Sequence, residues 1–444
     1  MRARTIWSVI AAVAVAALGW GWLVGGEDVP GRPRDQTAQV DAAWYASLPL
    51  EREAATSAYL ARIPADMRAR GEAYSDSRMV AFLLRVLTLL AATVLICATG
   101  LAARLRESAA RISSKRVVID AIVAVQYFVA MFLLSLPVEI YATFVRPHRF
   151  GFSDRSFVSW LGDQVINWGV ISIFYLIAVL AIYSVLRRRP AQWVAWAVAV
   201  YALLRALYTL LSPDVIEPLT NNFKPLADGP QKQQIVALAR ANGIDDVAVV
   251  TSDASRQSRL LNAHVSGFAG TTRISLDDTT LRATSDPMLR AVVSHEIGHF
   301  VLSHTAASII PAALLMGVGF ALIALCLRVL LALYGPRLRM SGIADIATLP
   351  LFWGLLLLWG FVSLPLSNAI SRISEHQADL FALNASQSPH GLAEFMIHDA
   401  DVARLRPTAI EYALFYSHPS PAERVASAMQ WRAENARLPP LVKP

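Results

Sequence analysis

His295-Glu296-Ile297-Gly298-His299 reads as an H-E-x-x-H pattern. On a helix, positions i and i+4 share a face, so both imidazoles can reach one metal ion. Glu296 stands beside the first imidazole and can face a water held at that ion. Two neutral nitrogen ligands, an open position for water and an adjacent carboxylate base are what zinc-assisted hydrolysis of a peptide bond requires. The flanks read as helix: Asp286 is placed to cap it and Pro287 suits its first turn. Val292, Val293, Ile297, Phe300 and Val301 give it an apolar side. Gly298 costs about 1 kcal/mol relative to alanine, yet leaves room for a neighbour near the metal. Histidine is scarce, nine in 444 residues. A chance H-E-x-x-H is therefore on the order of one in a hundred.

The chain is 55% hydrophobic and 16% charged, with a mean hydropathy of +0.45. That is too apolar for an ordinary soluble protein. The net charge of +7 rests almost wholly on arginine, since Lys115, Lys224, Lys232 and Lys443 are the only lysines. The basic residues cluster beside apolar runs: Arg104, Arg106, Arg111, Lys115 and Arg116; Arg187 to Arg189; Arg337 and Arg339. This suits lipid headgroups and membrane orientation rather than nucleic acid. No aromatic-basic interleaving suggests base stacking. Cys97 and Cys326 both lie in apolar runs, so neither a disulfide framework nor a cysteine metal site is indicated.

Ile6 to Val24 is the first long apolar run. It lacks a small-x-small cleavage site and reads as a retained membrane helix rather than a signal peptide. Residues 27–77 are polar, with helical stretches from Ala42 to Ile63 that Pro64 interrupts. Runs of spanning length follow: Met79 to Ala103, Val117 to Tyr141, Val165 to Leu186, Trp193 to Leu211, Ala306 to Leu333 and Ile343 to Leu366. With the first, these predict roughly seven membrane helices. Arg85, Asp120, Glu139, Asn167, Arg205 and Asp345 fall within them. Such groups are expensive in lipid and should face the protein interior or water.

Between the fifth and sixth runs the pattern changes. Gln231 to Ala241 reads as an amphipathic helix; Val247 to Thr251, Leu261 to Gly270 and Thr272 to Leu276 read as strands. The expected organisation is a membrane region over 1–211, including the extramembrane segment 27–77. The first half of a peptidase domain covers 212–304, a membrane hairpin 305–370, and the second half 371–444. The fold class is mainly α: a multi-pass bundle around a hydrated space, with a split zinc protease domain carrying a small β element; that the bundle encloses a chamber and the domain is gluzincin-like is what the family resemblance given below implies.

A catalytic zinc takes three protein ligands plus water. Glu375-His376-Gln377-Ala378-Asp379 follows the hairpin. Glu375 is the expected third ligand, and Asp379, one turn on, can hydrogen-bond a ligand imidazole. His304 is five residues past His299, about 140° around a continuous helix, which makes it a poor partner. His264, His376, His390 and His398 lack a matching spacing.

H-E-x-x-H and E-x-x-A-D, separated by a membrane hairpin, resemble the M48 family of zinc metallopeptidases. Four more stretches resemble its integral-membrane branch, the type I CAAX prenyl proteases. These are Ser212 to Leu219 with Asn222-Phe223; Asn262-Ala263-His264 with Gly267-Phe268; Leu136-Pro137 through Phe144 to Gly151-Phe152; and Tyr416-Ser417-His418-Pro419 with Arg424. The resemblance covers about residues 5 to 432. It implies one zinc per chain on His295, His299 and Glu375, with Glu296 as general base. It further implies that His418 stabilises the oxyanion, that Arg424 holds nearby acidic groups, and that Asn262, Ala263 and His264 pair with extended substrate. His376 and His264 stand where the family often has aromatics, which bears on substrate fit.

The expected partners are the bilayer and a peptide or protein substrate, lipidated or membrane-embedded. Two alternatives to prenyl processing exist: membrane-protein quality control resembling the HtpX branch, and a non-catalytic scaffold or chaperone. An intact glutamate base argues against the scaffold. The alanine- and arginine-rich usage points to a bacterial cytoplasmic membrane. Basic clusters at the N-terminus and after the second, fourth and sixth helices put those ends in the cytoplasm and the zinc domain outside. The eukaryotic family implies the reverse.

Overall fold

The computed structural model describes residues 42–267 and 272–437; the run from Ile6 to Val24 lies outside them. Two short helices, α1 (Ala42–Ser47) and α2 (Arg52–Ala61), open the described chain. The Glu51 carboxylate caps α2 by accepting from the amides of Glu53 and Ala54. Pro64, which has no N–H to offer a helix interior, then precedes α3 (Ala65–Ala98). Gly100, at φ +67°, turns the chain into α4 (Leu101–Ile112). The remaining long helices of the first half are α5 (Arg116–Ile140), α6 (Phe157–Arg188) and α7 (Trp193–Leu211).

A four-stranded sheet comes next, built from β1 (Phe223–Pro225), β2 (Ala248–Ser252), β3 (Ala263–Ser266) and β4 (Arg273–Asp277). Its order is β1-β2-β4-β3, with only β2 and β4 parallel, so β3 is an edge strand. Helix α8 (Pro230–Ala241) and helix α9 (Asp286–Val301) pack on it through Ile235, Ala239, Ile274, Leu276, Val293 and Ile297. The chain re-enters the membrane part as α10 (Ile309–Leu338) and α11 (Leu349–Ser386), then closes with α12 (Pro389–His398), α13 (Ala409–Phe415) and α14 (Pro421–Glu434).

Among the described residues, six helices are long and apolar enough to cross a membrane. They contact one another in a closed cycle: α3 on α5, α5 on α6, α6 on α7, α7 on α10, α10 on α11, and α11 back on α3. A closed ring of helices walls a chamber. Leu87, Val94, Leu133, Leu203, Leu314 and Val362 are exposed on the spanning helices, as lipid-facing residues should be. Arg85, Asp120, Glu139 and Asp345 pair across helices, whereas Asn167 and Arg205 are exposed, contrary to expectation. Arg85 grips Glu139 through two bonds of 2.5 and 2.6 Å, tying α3 to α5. Arg187 pairs with Asp120, and Arg106 with Asp345. Asp345 precedes α11 rather than lying within it, because its carboxylate caps a short turn at Ala347.

One end of the chamber is closed by Trp193, Phe320 and Phe352, with the Tyr183 hydroxyl 2.8 Å from Thr348 Oγ1 beneath them. Helix α11 approaches α3 closely there. A Cβ at Gly354 would stand 2.6 Å from Thr93 Cγ2, so only glycine fits. Helix α11 is unbroken for 38 residues and runs from this floor out to the second half of the peptidase domain. The expected boundary at 370/371 therefore falls inside one continuous helix.

Candidate active site

Helix α9 presents His295 and His299 on one face, as their spacing requires, and α11 brings Glu375 against them. Nε2 of His295 lies 3.1 Å from Nε2 of His299. Glu375 Oε2 is 3.2 Å from the former and 3.6 Å from the latter. Ligand atoms at zinc-binding distance around a tetrahedral ion stand about 3.3–3.5 Å from one another, which this triangle matches. Glu375 Oε2 is buried and receives no hydrogen bond among the described residues. Two ring nitrogens and a carboxylate oxygen without a hydrogen bond, converging on one point, fit a cation. The donor set, two imidazoles and a carboxylate, suits zinc.

Each histidine is oriented from behind. His295 Nδ1 lies 2.9 Å from Asp379 Oδ1. Asp379, only 1% exposed, is held in turn by Arg424 through Nε–Oδ2 and Nη2–Oδ1 bonds of 2.8 and 2.6 Å. The i+4 spacing from Glu375 to Asp379 thus places a ligand and its anchor on one face of α11. His299 Nδ1 is 3.0 Å from His304 Nδ1, and His304 Nε2 is 3.1 Å from Gln377 Oε1. Because an amide oxygen only accepts, His304 carries its proton on Nε2 and offers Nδ1 as acceptor. His299 therefore donates from Nδ1, which leaves its Nε2 bare for a metal.

His304 is not among the three converging ligands, as its spacing implies, but it does reach the site as a hydrogen-bonding partner of His299. The 140° offset assumed one continuous helix. Helix α9 ends at Val301, Ser303 takes a left-handed φ of +55°, and a new short helix starts at His304. That break swings His304 back onto His299. Nothing in the local sequence marks Ser303 as left-handed. A correction concerns the start of α9: Asp286 is its first residue, the N-cap is Ser285, and no side chain caps it. Gly298 behaves as expected. A Cβ there would meet the Phe381 ring at 3.0 Å, so the missing side chain lets α11 close on α9.

Glu296 follows His295 on α9, and burial pushes its carboxyl above the usual range against the pull of both histidines. His418 Nε2 is 3.2 Å from Glu375 Oε2, which puts it at the mouth of the site. Ser417 Oγ lies 3.0 Å from its Nδ1. With Ser417 donating, His418 carries its proton on Nε2 and points it at the site. Ser417 stands in the quoted Tyr416–Pro419 stretch without a role of its own, and this contact supplies one.

The Asn262 segment forms the outer rim. The Asn262 N–H donates to Thr280 Oγ1, and its carbonyl accepts from the amide of Asp277. Bonded and non-bonded pairs alternate along an antiparallel ladder. Asn262 and Asp277 are a bonded pair, so the Ala263–Leu276 and Val265–Ile274 pairs are not. The main-chain groups of Ala263 and Val265 consequently face the open edge of the sheet. The His264 ring does not. Its Nε2 lies 3.2 Å from Glu217 Oε2, which Arg273 Nη2 also holds at 3.2 Å.

His295 titrates far from its ordinary value in the metal-free protein. Burial lowers its pKa, but the Asp379 and Glu375 carboxylates beside the ring outweigh this and raise it to about 9. Metal uptake must displace that proton. Below about pH 9, apparent zinc affinity should fall about tenfold per pH unit, with release of about one proton per metal. Competition titration at several pH values, with a proton-release assay, checks this. A pH-independent affinity between neutral pH and pH 9 would contradict it. The same proton stabilises the metal-free fold: that contribution is complete below about pH 6.5 and is lost as pH rises through about 9.

The fold and the site together define a membrane-embedded metallopeptidase of the two-histidine, one-glutamate kind. The sequence pattern of peptidase family M48 matches residues 225–432, and that of the CAAX prenyl protease N-terminal region, with five membrane helices, matches 51–222. The chain belongs to peptidase family M48, in its Ste24-like integral-membrane branch. It is 27% identical over 289 residues to the uncharacterized metalloprotease YhfN of Bacillus subtilis, covering 65% of this chain and 67% of that one. It is 27% identical over 316 residues to CAAX prenyl protease 1 of Saccharomyces cerevisiae, covering 66% and 68%. The Schizosaccharomyces pombe probable CAAX prenyl protease 1 aligns at 26% over 62% of its own length. The crystal structure of S. mikatae Ste24p superposes with a TM-score of 0.65 at 21% identity, over 95% of this chain and 98% of that one.

Proposed function

We propose that the protein is a zinc metalloendopeptidase of a bacterial cytoplasmic membrane. Its substrates would be membrane-associated proteins, including ones that carry a prenylated, CAAX-type end. The observation that carries this reading is the triangle of His295 Nε2, His299 Nε2 and Glu375 Oε2 at 3.1, 3.2 and 3.6 Å, with Glu296 beside it. The prenylated substrate is taken from the names of the yeast relatives. The basic ends of the helices favour a cytoplasmic floor and a peptidase domain on the opposite side.

Zinc held by His295, His299 and Glu375 would polarise the scissile carbonyl and lower the pKa of water toward about 7. An extended peptide pairs with Ala263 and Val265 at the free edge of β3. Glu296 takes the proton of the attacking water on its carboxylate and passes it to the leaving amine. His418 donates its Nε2 hydrogen to the oxyanion. Asp379 and Arg424 keep the His295 ring in its orientation throughout.

The test is zinc content and peptide cleavage by the detergent-purified protein, offered a farnesylated CAAX peptide and unmodified membrane-derived peptides in parallel. About one zinc per chain with cleavage is the expected result, and the preferred peptide defines the substrate class. Zinc bound without cleavage of either peptide would turn the reading toward a scaffold.

A further inference from the structure

The chamber contains a second feature, on the membrane side of the peptidase site. Helices α6, α7, α10 and α11 each turn one face toward a common cavity of about 510 Å³. That is within the roughly 300–1,000 Å³ typical of small-ligand pockets. On α6 its lining runs from Ile171 to Tyr183, about 18 Å of helix. The cavity is therefore elongated along α6. Its wall is aliphatic and aromatic, with Trp353 packed edge-on against Tyr175 at 4.5 Å. Its floor is the buried Tyr183–Thr348 pair.

One charge lines this space. Arg205 lines the cavity from α7 with Tyr201, Leu204 and Tyr208; its side chain and that of Tyr208 are exposed, as are Leu203, Leu207 and Leu210 elsewhere on the helix. The Arg205 Nη2 donates to Ser308 Oγ at 3.0 Å. No carboxylate pairs with Arg205 among the described residues, unlike Arg85, Arg106 and Arg187. A guanidinium does not shed its charge, and an uncompensated one within a membrane span is costly. Ser308 is one helical turn beyond His304, so the charged end of the cavity faces the catalytic end of the chamber and the apolar end faces the floor.

We propose that this cavity is a binding site for a single apolar chain ending in an anionic group, with Arg205 holding the anion and the tail lying along Trp353 toward the floor. The ligand class is a single-chain anionic amphiphile such as a fatty acid. The site does not depend on peptidase chemistry, because none of its residues belongs to the metal site.

The probe is dibromostearate, whose bromines quench nearby tryptophan, compared with the corresponding dibromo alcohol and with a brominated phosphatidylglycerol, on the full chain in detergent micelles. Dibromostearate should quench part of the fluorescence saturably, and Trp353→Phe should remove that part. Arg205→Gln should weaken the acid about tenfold and leave the alcohol unchanged, which also shows that the variant is folded. If Arg205→Gln loses both ligands, Arg205→Lys, which keeps the charge, should restore the preference for the acid. Equal quenching by acid and alcohol in the wild type, persistence of the signal in Trp353→Phe, or quenching by the two-chain lipid alone would each overturn the proposal.

Discussion

Glu296→Gln is expected to lower peptide turnover by on the order of 10²–10⁴-fold while zinc stays bound at about one per chain. Glutamine keeps the shape of the side chain but takes no proton. The metal ligands His295, His299 and Glu375 are untouched, so metal content should not fall. The relevant measurement is single-turnover cleavage beside metal analysis on the same preparation. A variant that cleaves at the wild-type rate would remove Glu296 from the mechanism. A variant that loses zinc would show instead that the carboxylate supports the metal site as a whole.

The second large effect is expected at a residue that makes no contact with substrate. Arg424→Ala leaves Asp379 buried, with only the His295 ring beside it. Removing one partner of a buried pair destabilises by about 3–5 kcal/mol, since the other charge is left without compensation. Loss of the groups that orient a metal ligand weakens metal binding about 10–100-fold. Thermal unfolding and zinc competition should therefore both shift. Arg424→Lys should recover part of the stability but not the two-bond grip on Asp379, because an ammonium has no planar fork. Unchanged zinc affinity in Arg424→Ala would confine the residue to holding the fold.

What the sequence made legible, and what it hid, follows from how local each signal is. H-E-x-x-H needs only helical periodicity, and the observed His295–His299 geometry obeys it. Glu375 and Asp379 were reachable for the same reason: both sit on α11 at i and i+4. His304 was not reachable, since its position hangs on one left-handed residue, Ser303, and on Gln377 from a distant helix. The spans were legible from hydropathy, Trp193–Leu211 to the residue. The pairing of their charges was not, because Arg85–Glu139 and Arg187–Asp120 join helices far apart in the chain. The polar groups announced only that something inside had to receive them.

The unbroken α11 bears on biosynthesis. His295 and His299 leave the ribosome well before α11 does, and a chain elongates at roughly 5–20 residues per second. During that interval the nascent protein holds two imidazoles but neither Glu375 nor Asp379. Those arrive only when the last span threads into the ring between α3 and α10. The hydrolytic centre is thus completed by the final act of membrane insertion. A chain that stalls outside the bilayer lacks a complete hydrolytic centre.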